Sequence, residues 1–209
     1  QGVHVEWYRT VAPSLDGSAI FVWSDTRYGV RNVFAHKIDK NGNFTWGDNG
    51  AVITNLPGRQ EDPVAIEDGN GGAFIAWVDY RFDDSGDIFI QHVNESGAIQ
   101  MDPNGVALAQ QQGTQISINM CTDSLGGVYV TWQDRRGGVD DDIYGTVIIL
   151  LRLHLYKIIF VHLDISNFKF NVEEIFNLLF DTSLFITINK HYSDYGYKGI
   201  LESTTRGCT

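Results

Sequence analysis

Ala73-Phe74-Ile75-Ala76-Trp77-Val78-Asp79-Tyr80-Arg81 is an apolar run that breaks off in the pattern Trp-x-Asp-x-Arg. The same ending occurs at Trp23-Ser24-Asp25-Thr26-Arg27 and at Trp132-Gln133-Asp134-Arg135-Arg136. The three tryptophans stand 54 and 55 residues apart. A period of this size marks stacked structural units that bury their faces against one another. The register holds on both sides of the motif. Five or six residues after each Arg comes a second extended segment, Asn32-Val33-Phe34-Ala35, Asp87-Ile88-Phe89-Ile90 and Asp142-Ile143-Tyr144-Gly145.

Working outward, each unit reads as four short strands. In the second unit, residues 63–67 form the first strand. Residues 68–72, Asp-Gly-Asn-Gly-Gly, form a tight turn whose glycines allow positive φ. Residues 73–77 are nearly continuous in apolar character, as in a strand covered on both faces. Residues 88–93 and 106–109 supply the last two strands, with an Asn-Glu-Ser-Gly turn between them. Gly50-Ala51-Val52-Ile53 matches Gly105-Val106-Ala107-Leu108, and Gly2-Val3-His4-Val5 fits the same element. No capped run of helical period occurs before residue 149. Four strands in about 55 residues is the arithmetic of a propeller blade rather than of a solenoid coil, which is usually shorter. The reading is therefore an all-β chain, a β-propeller fragment of four-stranded antiparallel blades over residues 1–148. It holds the end of one blade, two nearly complete blades and half of another.

These units resemble the blades of secreted bacterial β-propeller repeat proteins, through the Trp-x-Asp-x-Arg strand end, the Asp-Ile-[Tyr/Phe] strand and the Gly-rich hairpin. The Asp-Ile-[Tyr/Phe] strand is also similar to that of TolB-like blades. The resemblance implies an exported, extracellular or cell-surface protein, and it implies a fold more strongly than an activity. Its partners would be the remaining blades of a longer propeller and a glycan, protein or surface-polymer ligand.

A residue recurring in every unit solves a problem that every unit has, so Trp23, Asp25, Arg27, Trp77, Asp79, Arg81, Trp132, Asp134 and Arg136 are read as structural. The tryptophans fill the space between blades, and each Arg pairs with its own Asp or with turn backbone. The competing reading makes Arg27, Arg81 and Arg136 a cluster of guanidinium forks that grips a carboxylate, as in a sialidase-like hydrolase. That chemistry also needs an acid and a Tyr activated by Glu. Spacing pairs none of Tyr28, Tyr80 and Tyr144 with a Glu, and Asn43-Phe44-Thr45-Trp46 carries only the end of the Ser-x-Asp-x-Gly-x-Thr-Trp box of sialidase blades. The expected function is non-catalytic recognition or scaffolding, with a glycan-processing hydrolase as the alternative. No catalytic residue is assigned.

Composition narrows the partners. The net charge of -11 repels nucleic acid and anionic membrane. All of it lies in residues 1–148, which hold 9 basic and 20 acidic residues against 6 and 6 in residues 149–209. That neutral stretch, rich in Ile, Phe, Asn, Lys and Tyr, reads as a tail outside the repeat. It is non-native sequence, disordered, or folded as a helix over 172–180. No apolar run reaches the roughly 20 residues of a membrane span. Gln1 opens an acidic, aromatic stretch rather than a signal sequence, so a signal peptide is expected outside this fragment. Cys121 and Cys208 make no disulfide framework, and Cys121 reads as a small buried thiol on a strand. No cofactor is expected. Asp83, Asp84 and Asp87, with Asp140, Asp141 and Asp142 in the equivalent loop, are weak candidates for calcium, as hard oxygen donors without the EF-hand spacing, and read first as solvated turn residues.

Overall fold

The computed structural model describes residues 5–122, 127–138, 141–150 and 158–163. Every regular element among them is a strand, twelve in all. They are β1 (Val5–Pro13), β2 (Ala19–Asp25), β3 (Asn32–Ile38), β4 (Ala51–Val52), β5 (Gln60–Glu67), β6 (Ala73–Asp79), β7 (Asp87–Val93), β8 (Val106–Ala109), β9 (Gln115–Thr122), β10 (Gly127–Asp134), β11 (Asp142–Leu150) and β12 (Ile158–Leu163). They form three four-stranded sheets in which each strand pairs with the next in sequence, β1 to β4, β5 to β8 and β9 to β12. All pairings are antiparallel.

Strand alternation gives each sheet two faces, and both faces of the middle sheet are covered. Ala73, Ile75, Trp77 and Phe89 of the second sheet pack against Ala12, Ile20, Val22, Val33 and Ala35 of the first. Phe74, Ala76, Val78, Ile88 and Ile90, on the other face, pack against Val128, Val130, Trp132 and Tyr144 of the third. This is why residues 73–78 read as one apolar run: all six are fully buried, three toward each neighbour. Contacts between successive sheets gather at their first strands, β1 against β5 and β5 against β9. The three sheets form an open row.

Several details differ from the sequence pattern. The strands extend beyond the apolar runs, β5 starting at Gln60 and β6 ending at Asp79. Each first strand is interrupted by a shift in register. In the second and third sheets the shift falls at Asp62 and Ser117, both at positive φ (49° and 59°) and 55 positions apart. These are β-bulges, and an interior Asp or Ser gives no periodic signal for them. β11 runs two residues past 148, and β12 takes the fourth place in the third sheet. It does so in a different register. β4 and β8 pair with the early part of the third strand, whereas β12 pairs with its later part, residues 145–150.

Cys121 is a correction. Read as a small buried thiol, it is half-buried on β9 and is not a free cysteine. Cys208, Asp140 and the helix considered for 172–180 lie outside the described residues. Among the described residues no helix is long and apolar enough to cross a membrane.

Candidate functional site

The Trp-x-Asp-x-Arg residues close one end of every sheet, where the second strand turns into the third. Trp and Asp lie two apart on a strand and so share a face, and the turn that follows brings the Arg back over it. In the second sheet, Trp77 Nε1 donates to Asp79 Oδ2 at 2.9 Å, while the backbone N–H and Nε of Arg81 both donate to Oδ1 at 2.9 Å. Nη2 of Arg81 completes the fork on Oδ2. The first sheet repeats the arrangement with Trp23, Asp25 and Arg27, and the third with Trp132, Asp134 and Arg136. Asp79 and Asp134 are fully buried and Asp25 nearly so. Burial pushes the carboxyls of Asp25 and Asp134 up, but the bonds from Arg27 and Arg136, from the turn N–H and from the indole outweigh it and hold both below the usual carboxylate range.

Each guanidinium also lies over the aromatic ring that pairs with the Trp across the strands. Arg27 sits 3.9 Å from the centre of Phe34, Arg81 4.3 Å from Phe89, and Arg136 3.8 Å from Tyr144. Arg81 Nη2 further donates to the Asn104 carbonyl at 2.9 Å, and Arg27 Nη1 reaches that of Asn49 at 3.4 Å. The three guanidinium forks are thus each turned onto their own sheet, and in the first two sheets the approach to the fourth strand is tied to the same group. The platform aromatic was missed in the sequence, although its 55-residue spacing was in view. The buried Gln60 and Gln115, which pair with Asp79 and Asp134 across the strands, recur at the same interval.

The acidic loops are less uniform. Asp83 accepts from the N–H of Ser85 at 2.7 Å, Asp84 is exposed beside Arg59, and Asp141 pairs with Arg135. Asp87 and Asp142 are buried at the start of their strands. Among the described residues no three His, Cys, Asp or Glu side chains converge as a metal site requires. Asp87 is pushed up to about 6 by burial and by the charges of Asp83 and of Asp79, its cross-strand neighbour.

Because the folded state holds this proton more tightly than an unfolded Asp at 3.8, its contribution to stability is full below about pH 4 and is lost as pH rises through 6. The first sheet has Asn32 at this place, with Nδ2 donating to the Val30 carbonyl at 3.0 Å. Asp87→Asn is therefore expected to stabilise the protein by about 1–2 kcal/mol at pH 7.5 and by little at pH 4. Denaturant unfolding at the two pH values measures it.

One cluster is not repeated. Between the first and second sheets, Glu61 is buried and paired with Arg31, with Arg59 Nε at 3.4 Å. Arg59 lies 3.9 Å over the ring of Tyr80. Asp62, next in the chain, is raised by burial and by the Glu61 charge, and Tyr80 is raised by burial and by the same carboxylate. The corresponding residues of the third sheet, Ile116, Thr114, Ser117 and Arg135, cannot form such a network. On the same end, Tyr28 and Phe82 follow Arg27 and Arg81 directly and are 54% and 60% exposed. No protein-family model matches the chain, and no curated protein matches it in sequence.

Proposed function

We propose that this chain is a run of β-propeller blades acting as an exported, non-catalytic recognition or scaffold module. The propeller reading draws support from three consecutive four-stranded meanders packed face to face, with contacts gathered at their first strands. The exported location rests on the resemblance alone. The observation that carries the non-catalytic reading is that in all three Trp-Asp-Arg groups the indole N–H and the guanidinium fork are engaged on the Asp of their own sheet.

The recognition surface is the end that bears the turns between second and third strands. Tyr28 and Phe82 offer exposed rings there, suited to stacking on sugar or peptide, beside the charged edge of Arg59 and Asp84. The glycan-processing hydrolase reading leans on Asp62, a half-buried acid raised beside Glu61. Against it, the carboxylate next to Asp62, that of Glu61, is held in ion pairs with Arg31 and Arg59 rather than free to act as the second acid. Calorimetric titration with an oligosaccharide panel, with reducing-end release followed in the same samples, tests the assignment. Binding without release, weakened by Tyr28→Ala and Phe82→Ala at unchanged melting temperature, is the expected result. Release that disappears in Asp62→Asn would establish the hydrolase instead.

A further inference from the structure

We propose that the outer face of the first sheet docks the third sheet of a second copy of this chain, so that copies associate head to tail. In both junctions of the row the same rule holds. The face bearing the Trp and its paired aromatic packs against the opposite face of the sheet before it: Trp77 and Phe89 on the first sheet, Trp132 and Tyr144 on the second. Among the described residues, one face of each kind has no sheet packed on it. The first sheet's Trp face carries Val11, Phe21 and His36 in one cross-strand row and Trp23, Phe34 and Val52 in the next. Val11 is 51% exposed and Phe21 37%, whereas Ala73, Ile75, Trp77 and Phe89 on the matching face of the second sheet are buried.

A polar detail marks this face as incomplete. His36 is buried against Phe44, with ring centres 4.5 Å apart, and neither Nδ1 nor Nε2 has a hydrogen-bond partner. Gln91, in the same place on the second sheet, is satisfied through Met101 N and the Asp102 carbonyl. Unpaired buried imidazole nitrogens beside exposed Phe and Val are a poor surface to leave against water.

The third sheet supplies the complementary face. Tyr129, Thr131 and Ile143 stand where the second sheet has Phe74, Ala76 and Ile88, the residues that cover Trp132. Tyr129 is 41% exposed and Ile143 50%. A surface of one kind meeting a surface of the other is a heterologous contact, which continues the row rather than pairing like with like.

Sedimentation velocity of the full chain over a concentration series tests this with Phe21→Glu and Ile143→Glu, two changes on exposed strand positions. The wild type is expected to associate with rising concentration and each variant alone to stay monomeric. An equimolar mixture of the variants should regain association, because one keeps an intact third-sheet face and the other an intact first-sheet face. A wild type that is monomeric throughout, an Ile143→Glu variant that still self-associates, or a mixture that stays monomeric would each overturn the proposal. Melting curves check that the variants fold, and Val11→Glu with Tyr129→Glu forms a second pair if one does not.

Discussion

Trp77→Ala is expected to lower stability by about 3–5 kcal/mol, the range for removing a large aromatic from a core that cannot collapse into the space. Collapse is blocked on several sides. Trp77 is fully buried among Ala12, Ile20, Val22 and Ala35 of the first sheet and Phe89 of its own. Gly105, at φ +77°, comes so close that a Cβ there would lie 2.5 Å from the indole Cη2. The substitution also removes the Nε1–H bond to Asp79, leaving a buried carboxylate short of one donor. Trp132→Ala should cost a similar amount, since Trp132 is equally buried in the second junction. Trp23→Ala should cost less than half as much, because Trp23 lies on the open face of the first sheet. Denaturant unfolding of the three variants at one protein concentration gives the ranking. Equal losses at all three positions would mean that the indoles act within their own sheets and not in the junctions between them.

That ranking shows what a repeat leaves out. The 55-residue period made the four strands and their order in each sheet legible, because each is a local property that every unit must satisfy. The ends of the row are not local. Trp23 and Trp77 read identically in sequence, yet among the described residues only Trp77 of the two has a sheet in front of it. The Asp62 and Ser117 bulges were hidden for another reason, since the pairing shift that creates them depends on the neighbouring strand rather than on residue type. Lys37 is a third case. An isolated Lys on a strand reads as solvent-facing, but its ammonium is buried across the first junction and donates to the Gly71 carbonyl at 3.0 Å. β12 was illegible because composition marked a break at 148, whereas the backbone edge of β11 accepts a strand whatever its origin. The Arg31, Arg59, Glu61 and Tyr80 network occurs once and so gives no periodic signal in the sequence.

Arg81→Ala is the remaining large effect, and it discriminates between the two roles open to the arginines. The Arg81 guanidinium supplies two of the four hydrogen bonds to Asp79, whose carboxylate is fully buried, and it is the only cation paired with that group among the described residues. Removing the cation leaves a charge in low dielectric with the indole and one backbone N–H. The cost is about 3 kcal/mol, increased by loss of the Phe89 contact and of the bond to Asn104. Arg27→Ala and Arg136→Ala should cost somewhat less, since those side chains are 24% and 23% exposed against 12% for Arg81. Arg81→Lys should recover only part of the loss, because an ammonium cannot form the planar fork. Acid adds a second reading. Asp25 and Asp134 sit below their unfolded value, so the stability gained from Arg27 and Arg136 is present above about pH 4 and lost as pH falls through the depressed folded values. The difference between wild type and Arg27→Ala or Arg136→Ala should therefore narrow on acidification. Arginines held in reserve for an anionic ligand would behave in the opposite way: their removal would leave unfolding unchanged at every pH and abolish binding of a carboxylated sugar.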